Sequence, residues 1–238
     1  MNEPRVSGKT VLVTGASRGI GRAVAARLAD AGARVWGLAR SIEALAELQK
    51  ESGVVPLVAD LADDADTWSA LDALVDTVGG PPDIIVNAAG VFGIEACASE
   101  TVRDFDRALA VNLRGPFLVT RALLPALLSR GSGLIVQVGS VAGRKAYPGN
   151  AAYSASKFGL RGFHEVLLEE LRGTGVRATL LEPAATDTPL WDPLDPDSSD
   201  VLPNRADMLK PDDVAEAVLF LASRPDSVTI PLMAIEPA

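Results

Sequence analysis

The stretch Thr10–Gly21, which reads TVLVTGASRGIG, decides the fold of this chain. Thr10–Val13 is uncharged and β-branched or aliphatic, as in a strand that is buried on both faces. Three glycines follow in the next turn: Gly15, Gly19 and Gly21. Apolar residues then recur every four positions, which predicts one face of a helix: Ile20, Val24 and Leu28. A strand, a glycine-rich turn and a helix in this order allow a phosphate to approach the N–H groups at the helix N-terminus.

Short aliphatic runs alternate with helical patterns along the rest of the chain. The predicted strands are Thr10–Val13, Arg34–Leu38, Val54–Val58, Asp83–Val86, Leu134–Val138, Arg177–Leu181 and Val228–Pro231. The later predicted helices are Ser41–Lys50 with Ser41 as the cap, Asp66–Thr77, Val102–Leu128, Ala152–Arg172 and Pro211–Leu221. This alternation predicts an α/β fold: one Rossmann-type domain over residues 1–238, with a doubly wound parallel sheet of about seven strands and helices on both faces.

Composition excludes several classes of function. The formal net charge of −9 makes nucleic acid and anionic membranes unfavourable partners. Cys97 is the only cysteine and there is one histidine, so neither a disulfide framework nor a metal site is expected. The segment Met1–Lys9 is polar and no apolar run is long enough to span a membrane, so we expect a cytoplasmic protein. Pro, Asp and Ser dominate from Pro189 onward, and we expect a substrate-covering flap at 189–210.

Further motifs follow the glycine turn in a fixed order. The turn itself reads T-G-x-x-x-G-x-G rather than G-x-G-x-x-G. Asn87–Gly90 reads NAAG after the fourth strand, Ser140 follows the fifth, and Tyr153–Lys157 reads YSASK at the start of the next helix. From roughly Lys9 to the C-terminus, the chain resembles the short-chain dehydrogenase/reductase family. The resemblance implies a nicotinamide-dependent oxidoreductase that interconverts a carbonyl and a secondary alcohol.

The resemblance also implies a set of cofactor-binding residues. Asp60 and Leu61 would lie beside the adenine, and Asn87, Ala88 and Gly90 beside the adenosine ribose. The full expected set is Gly15, Ser17, Arg18, Gly19, Ile20, Gly21, Arg40, Asp60, Leu61, Asn87, Ala88, Gly90, Tyr153, Lys157, Pro183 and Thr188. In the family a glycine follows Pro183, where this chain has Ala184, so the backbone here is expected to differ if a positive φ is needed.

The residues after the second strand favour NADP(H) over NAD(H). An acidic residue at this place would accept hydrogen bonds from a ribose 2′-hydroxyl and repel a 2′-phosphate. This chain has Ala39 and Arg40 instead, and no acid before Glu43. Together with Arg18 of the glycine turn, Arg40 could hold a 2′-phosphate by charge-assisted hydrogen bonds. The alternative interpretation is that both arginines are solvated surface residues.

Tyr153 and Lys157 are the candidate acid–base pair. Their spacing of four places them on one face of a helix. A nearby ammonium favours the phenolate, so Lys157 is expected to lower the tyrosine pKa from about 10. By the resemblance Ser140 polarises the substrate oxygen, and Asn112 holds a water that links Lys157 to solvent. The alternative for Ser140 is a turn cap. The alternative for Asn112 is that it stabilises a kink in the helix, and it could do so while also holding the water.

Three hypotheses remain for the function. The first is an NADPH-dependent carbonyl reductase or secondary-alcohol dehydrogenase, with a small-molecule substrate that includes 3-oxoacyl compounds. The second is a non-catalytic nucleotide-binding regulatory protein, and the third is an isomerase or dehydratase that keeps its cofactor bound. By the resemblance, the predicted helices Val102–Leu128 and Ala152–Arg172 would form a homodimer or homotetramer.

Overall fold

The computed structural model describes residues 6–238, so that part of the polar N-terminal segment at 1–5 lies outside it. Within this range seven strands form one parallel sheet in the order β3-β2-β1-β4-β5-β6-β7. The strands are β1 Thr10–Thr14, β2 Arg34–Ala39, β3 Val55–Val58, β4 Ile84–Asn87, β5 Gly133–Val138, β6 Val176–Pro183 and β7 Leu232–Ile235. The predicted doubly wound parallel sheet is confirmed.

Seven α-helices connect the strands in the described residues. They are α1 Gly19–Asp30, α2 Ile42–Ser52, α3 Asp64–Val78, α4 Val102–Leu109, α5 Gly115–Arg130, α6 Ala151–Glu170 and α7 Pro211–Ala222. Ser41 caps α2 as predicted, because its side chain accepts the Ala44 N–H at 3.2 Å. None of the described helices is long and apolar enough to cross a membrane.

The two faces of the sheet carry separate hydrophobic cores. Alternate residues of each strand point to opposite faces, so Val11 and Val13 pack on one side while Leu12 packs on the other. Helices α1, α2 and α7 cover the first face with a row of apolar side chains: Val24, Leu28, Leu45, Leu48, Val214 and Val218. Helices α3, α5 and α6 cover the second face: Leu71, Leu74, Val119, Leu123, Leu127 and Leu167. The helices on both faces therefore bury apolar side chains against the sheet.

The strand order reverses beside β1, and this reversal positions the site. The chain runs outward from β1 through β2 to β3, then returns to β4 on the other side of β1. Loops that leave β1 and β4 diverge to opposite faces and open a crevice at the carboxyl ends of the strands. The glycine turn after Thr14 lies at this crevice, where a ligand of an open parallel sheet is expected to bind.

The prediction of the last strand was wrong by its full length. Val228–Pro231 was expected to be a strand, but pairing with β6 begins at Leu232. The Val228 N–H donates to the Pro225 carbonyl in a turn at 2.9 Å, and Pro231 has no N–H to offer a ladder. His164 instead lies 2.9 Å from the Pro231 carbonyl through Nε2. The apolar run thus leads into the strand and does not form it.

The long helix expected at Val102–Leu128 is interrupted in the middle. Between α4 and α5 the chain forms a π-helical turn, Ala110–Arg114. Pro125 lies inside α5 without ending it, and the helix continues to Arg130, where Gly131 adopts a left-handed φ of 70°. The π turn widens the helix around Asn112, and such turns often occur at functional sites.

Candidate active site

An open cleft lies at the carboxyl ends of β1, β2, β3 and β4. It contains about 810 Å³ of empty space, part of it continuous with solvent. Twelve of the predicted cofactor residues line it: Gly15, Ser17, Arg18, Gly19, Ile20, Gly21, Arg40, Asp60, Leu61, Ala88, Gly90 and Thr188. Residues far apart in the chain therefore meet here as the motifs predicted.

The glycine turn has a shape that only glycine permits. Gly15 has a φ of +73°, and a Cβ built there would lie 2.6 Å from the Cα of Ala89. Gly21 lies so close to the preceding turn that a Cβ would be 2.3 Å from the Gly15 carbonyl oxygen. Removing the side chains lets α1 start directly against the end of β1. The floor of the cleft is therefore main chain rather than side chain.

The N-terminus of α1 is suited to an anion. Its cap residue, Arg18, makes no side-chain cap hydrogen bond, and its first turn contains no acidic residue. In contrast, α2, α3 and α4 are each capped by a side chain and carry acidic residues in the first turn. The first N–H groups of α1 thus remain available at the positive end of the helix dipole. Together with the main-chain floor, this fits the pyrophosphate of a dinucleotide cofactor.

The end of β2 presents a positive charge beside the cleft. Arg40 follows the last residue of β2, Ala39, and both line the cleft. The Arg40 side chain is 58% exposed, and its Nη1 lies 3.7 Å from Asp60 Oδ2. No carboxylate of residues 6–238 lies within ion-pair distance of Arg18, which is also exposed. Arg40 is therefore partly balanced by Asp60, whereas Arg18 is not balanced by any described acid.

The NAAG segment is held by residues of the neighbouring strands. Thr14 Oγ1 accepts the N–H groups of Ala88 and Ala89 at 3.2 and 3.1 Å. Asn87 is buried and donates through Nδ2 to Gln137 on β5 at 3.1 Å. Asn87 does not line the cleft, although it was expected beside the ribose. Its contact in the structure is with the fifth strand, so that it fixes the segment from behind.

A second group of predicted residues meets at the carboxyl end of β5. Lys157 is buried, and its Nζ donates to the Val138 carbonyl at 2.9 Å and lies 5.7 Å from the centroid of the Tyr153 ring. The two side chains therefore share one face of α6, as their spacing predicts. Ser140 begins a short 3₁₀ turn, where its Oγ accepts the Ala142 N–H at 3.1 Å. The expected turn-cap role of Ser140 is thus present, and its hydroxyl proton remains available to another acceptor.

The electrostatics of this group differ from the sequence-based expectation. Lys157 was expected to lower the pKa of Tyr153, but burial raises the pKa of the phenol above its ordinary value. A hydrogen bond with the Ser140 side chain acts in the opposite direction and is the smaller effect. Burial also lowers the pKa of Lys157 to about 8. At neutral pH the resting pair is consequently a neutral phenol beside a charged ammonium.

Asn112 lies in the π turn with every polar atom of its side chain engaged. Its Oδ1 accepts the Val91 N–H at 2.8 Å, and its Nδ2 donates to the Val91 carbonyl at 2.9 Å. Nδ2 also donates to Ser156 Oγ at 3.0 Å on α6. This geometry matches the kink-stabilising interpretation. The side chain joins the π turn, the segment after NAAG and α6 in one buried contact.

The region after β6 keeps an ordinary backbone despite Ala184. Asp195 is the only non-glycine residue with positive φ among residues 6–238, so Ala184 is not strained. Its N–H donates to the Ile235 carbonyl at 2.9 Å, next to the strand pairing of Pro183. Pro183 is buried in β6 and does not line the cleft, whereas Thr188 does. The altered backbone that was expected if this turn needed a positive φ is therefore absent at Ala184.

Sequence reasoning missed several residues at the site. Thr14 belongs to the quoted glycine motif, and its position directly before Gly15 could have suggested a hydrogen bond to the NAAG segment after β4. Phe92 packs on Tyr153, and neither composition nor spacing signals this contact. The remaining cleft residues that were not predicted are mostly apolar: Leu38, Ala39, Ala59, Ala89, Val91, Val111, Pro189 and Leu190. Such residues carry no motif, because many side chains can supply the same apolar surface.

Comparisons with known proteins agree with this architecture. Residues 9–199 match the family described as short chain dehydrogenase. D-threitol dehydrogenase from Mycolicibacterium smegmatis is 38% identical over 92% of this chain and 87% of its own length. Glycine betaine reductase ATRR from Emericella nidulans is 36% identical over 98% of this chain, which spans only 19% of that longer protein.

A solved structure extends the agreement to three dimensions. The crystal structure of a metagenomic short-chain oxidoreductase in complex with NADP superposes with a TM-score of 0.83 at 32% identity, over 98% of this chain and 99% of the other. The similar fold agrees with the family that the sequence matches. The chain therefore belongs to the short chain dehydrogenase family of NAD(P)-dependent oxidoreductases.

Proposed function

We propose that this chain is an NADP(H)-dependent oxidoreductase that interconverts a carbonyl and a secondary alcohol, with Tyr153 as the general acid and base. The observation that carries the proposal is the grouping of Tyr153, Lys157 and Ser140 at the carboxyl end of β5. This group adjoins the cofactor cleft, because Tyr153 contacts Phe92 and the preceding residue, Val91, lines the cleft. A bound nicotinamide cofactor supplies or accepts the hydride.

The protonation states of the pair suit carbonyl reduction. Because burial raises its pKa, Tyr153 holds its proton at neutral pH and can donate it to a substrate carbonyl oxygen. Lys157 is charged below about pH 8, so its ammonium stabilises the phenolate that Tyr153 becomes. Ser140 donates its hydroxyl proton to the same substrate oxygen and orients it. In the reverse direction, the phenolate accepts the alcohol proton.

The preference for NADP(H) is part of the proposal. Arg40 and Arg18 flank the cleft where the adenosine end of a dinucleotide is expected, and the strand-terminal position is alanine rather than an acid. Two guanidiniums can bind a 2′-phosphate, while Asp60 reduces the contribution of Arg40 through its ion pair at 3.7 Å. The metagenomic relative was solved with NADP, which supports the same choice.

Assembly, location and the role of the segment 189–210 complete the proposal. Large apolar side chains stay exposed on the outer faces of α5 and α6: Phe117, Phe158 and Val166. A second copy that covered these side chains would remove them from water, so their exposure supports a homodimer or homotetramer, which light scattering of the purified chain would test. We place the protein in the cytoplasm, where the exposed free thiol of Cys97 would remain reduced. The segment 189–210 acts as the flap over the substrate.

The test is substrate-dependent oxidation of NADPH by the wild type and by Tyr153→Phe. We expect wild-type turnover on part of a panel of ketones, 3-oxoesters, quinones and sugars, and loss of nearly all turnover in Tyr153→Phe with NADPH binding retained. Tyr147→Phe is the matched control, because Tyr147 is exposed and packs under Lys145. Wild-type-like turnover by Tyr153→Phe would remove Tyr153 from its role. NADPH binding without turnover on any carbonyl would instead favour a regulatory protein.

A further inference from the structure

Three aromatic side chains form a continuous contact that begins at Tyr153. The Phe92 ring centroid lies 4.9 Å from that of Tyr153, with the planes at 73°. The Trp191 ring centroid lies 4.9 Å from that of Phe92, with the planes at 60°. Both contacts are edge-to-face, the arrangement that aromatic quadrupoles favour. Phe92 and Trp191, named the aromatic wall from here on, are half-buried beside the phenol.

The aromatic wall directly follows two residues of the cofactor cleft in the chain. Val91 and Leu190 line the cleft, and the two wall residues follow them directly in the chain. Neither wall residue lines the cleft itself. The wall therefore adjoins two residues that line the cleft, and the Tyr153 ring contacts it through Phe92. A substrate whose reacting oxygen meets Tyr153 would lie beside Phe92.

We propose that Phe92 and Trp191 form a substrate subsite for an uncharged ketone or aldehyde that carries an aryl group beside the reacting carbon. This inference rests on the proposed function, because it assumes that the reacting oxygen meets Tyr153. A carbonyl oxygen within hydrogen-bond distance of the phenol brings its substituents next to Phe92. An aryl substituent can take over the edge contact that Phe92 now makes with Trp191. A chain of hydroxyl groups would be desolvated there without partners.

The charge around the wall disfavours anionic substrates. Trp191 belongs to a segment, 187–207, with six aspartates and a single cation: Asp187, Asp192, Asp195, Asp197, Asp200, Asp207 and Arg205. A carboxylate or phosphate on the substrate would be repelled by this segment. On the loop after β5, the Arg144 side chain is engaged with Glu182 at 3.3 Å and with Glu236 at 2.5 Å. Arg144 is therefore paired within the protein, while the next residue, Lys145, is exposed and lies 5.2 Å from the Tyr147 ring centroid. With six aspartates around Trp191, an uncharged substrate fits best.

The wall is held in place before a substrate arrives. Arg205 forms ion pairs with Asp187 at 2.5 Å and with Asp192 at 2.7 Å. These two aspartates lie on either side of Trp191 in the chain, so one guanidinium ties both ends of the loop that carries the indole. Because the loop is fixed, the wall can select a substrate with little loss of conformational entropy.

Kinetics on matched ketones test the inference. The probes are acetophenone, cyclohexyl methyl ketone, erythrulose and benzoylformate, which differ in aromaticity, hydroxylation and charge. We expect wild-type kcat/KM to be highest for acetophenone and at least tenfold lower for erythrulose and benzoylformate. Trp191→Ala and Phe92→Leu should each lower the acetophenone value roughly tenfold and leave erythrulose within threefold. Trp191→Phe should retain most activity, and the control Trp68→Phe all of it.

Binding separates this inference from the proposed function. Trp191 is one of three tryptophans, so its fluorescence is obtained by subtracting the emission spectrum of Trp191→Phe from that of the wild type. We expect acetophenone to quench this emission saturably, with roughly tenfold weaker affinity in Phe92→Leu. Saturable quenching without NADPH oxidation on any probe would overturn the proposed function and keep the subsite. Turnover with erythrulose or benzoylformate preferred, or no saturable quenching, would overturn the subsite.

Discussion

Lys157 Nζ donates a 2.9 Å hydrogen bond to the carbonyl oxygen of Val138, the last residue of β5. Ser140 lies two residues beyond Val138, and Tyr153 lies one helical turn before Lys157. One buried contact therefore fixes the distance between β5, which leads to Ser140, and α6, which carries Tyr153. The same burial that makes this contact rigid also lowers the pKa of Lys157 to about 8.

Carbonyl reduction should depend on the charge of Lys157. Because burial lowers its pKa from 10.5 to about 8, the ammonium is present below pH 8 and is lost as the pH rises through that value. We expect kcat/KM for reduction to fall above about pH 8, since an uncharged amine no longer stabilises the phenolate of Tyr153. The measurement is kcat/KM from pH 6 to 10 at saturating NADPH.

Lys157→Arg is the control for this pH profile. A guanidinium stays charged throughout the range, so the decline near pH 8 should disappear even if the larger head lowers the overall rate. A wild-type profile that stays level up to pH 9.5 would show that the charge of Lys157 does not limit the reaction.

Arg40→Asp should reverse the preference between the two cofactors. The change removes a cation at the end of β2 and introduces a carboxylate that accepts hydrogen bonds from a ribose 2′-hydroxyl. We expect the Kd for NADPH to rise roughly 10- to 100-fold, the range for loss of a charge-assisted hydrogen bond. The Kd for NADH should stay equal or fall. Fluorescence titration of both reduced cofactors measures the change.

Arg103→Asp is the matched control for Arg40→Asp. Arg103 is exposed on α4 and does not line the cleft, and its replacement changes the net charge by the same amount. Both cofactor affinities should remain within twofold in this variant. Equal losses of NADPH affinity in the two variants would mean that net charge, rather than contact with the 2′-phosphate, sets the preference.

The sequence predicts the sheet and the cleft because both depend on local signals. An uncharged β-branched run such as Thr10–Val13 indicates a buried strand, and glycines directly after it indicate a close approach of main chain. Parallel strands all present their carboxyl ends at one edge, so motifs that follow different strands must meet there. The lining of the cleft by Gly15, Asp60 and Gly90 agrees with this rule, although Asp60 and Gly90 were expected there from the family resemblance.

Contacts between distant side chains carry no such signal. Phe92 and Trp191 lie 99 positions apart in the sequence, and only folding brings their ring centroids to 4.9 Å from each other. The predicted direction of the Tyr153 pKa shift was wrong because burial in the folded chain raises the pKa, whereas the spacing to Lys157 reveals only a nearby charge. Residue type and spacing predict candidate acid–base groups, but burial sets their proton affinity.

Asn112→Ala distinguishes a positioning role from a water-mediated proton relay. The amide accepts the Val91 N–H at 2.8 Å and donates to Ser156 at 3.0 Å, so its loss leaves buried partners unsatisfied. We expect the free energy of unfolding to fall by roughly 2 kcal/mol. The Kd for NADPH should rise several-fold, because Val91 lines the cleft.

A relay role for Asn112 predicts another pattern. The value of kcat would fall and its pH dependence would shift, while the Kd for NADPH stayed unchanged. Urea denaturation, cofactor titration and a pH profile of kcat on the same variant separate the two roles. Gln49→Ala is the control, because Gln49 is exposed on α2 and does not line the cleft.

Arg161→Met should destabilise the fold far more than Arg172→Met. Arg161 pairs with Glu182 at 2.9 Å, and the Glu182 side chain is only 1% exposed. Removing Arg161 leaves a buried carboxylate with Arg144 as its remaining cation at 3.3 Å, which we expect to cost roughly 2–3 kcal/mol. The Arg172–Glu169 pair is exposed on both sides, so its loss should change stability by less than about 0.5 kcal/mol.

Urea unfolding of both variants measures this difference, provided that the denaturant dependence of the unfolding free energy is unchanged. The double variant Arg161→Met/Glu182→Leu should recover most of the loss, because the cost comes from an unpaired buried charge and not from the missing ion pair itself. If Arg161→Met and Arg172→Met were equally stable, water would have to reach Glu182 in the folded protein, and the link between α6 and β6 would be apolar packing alone.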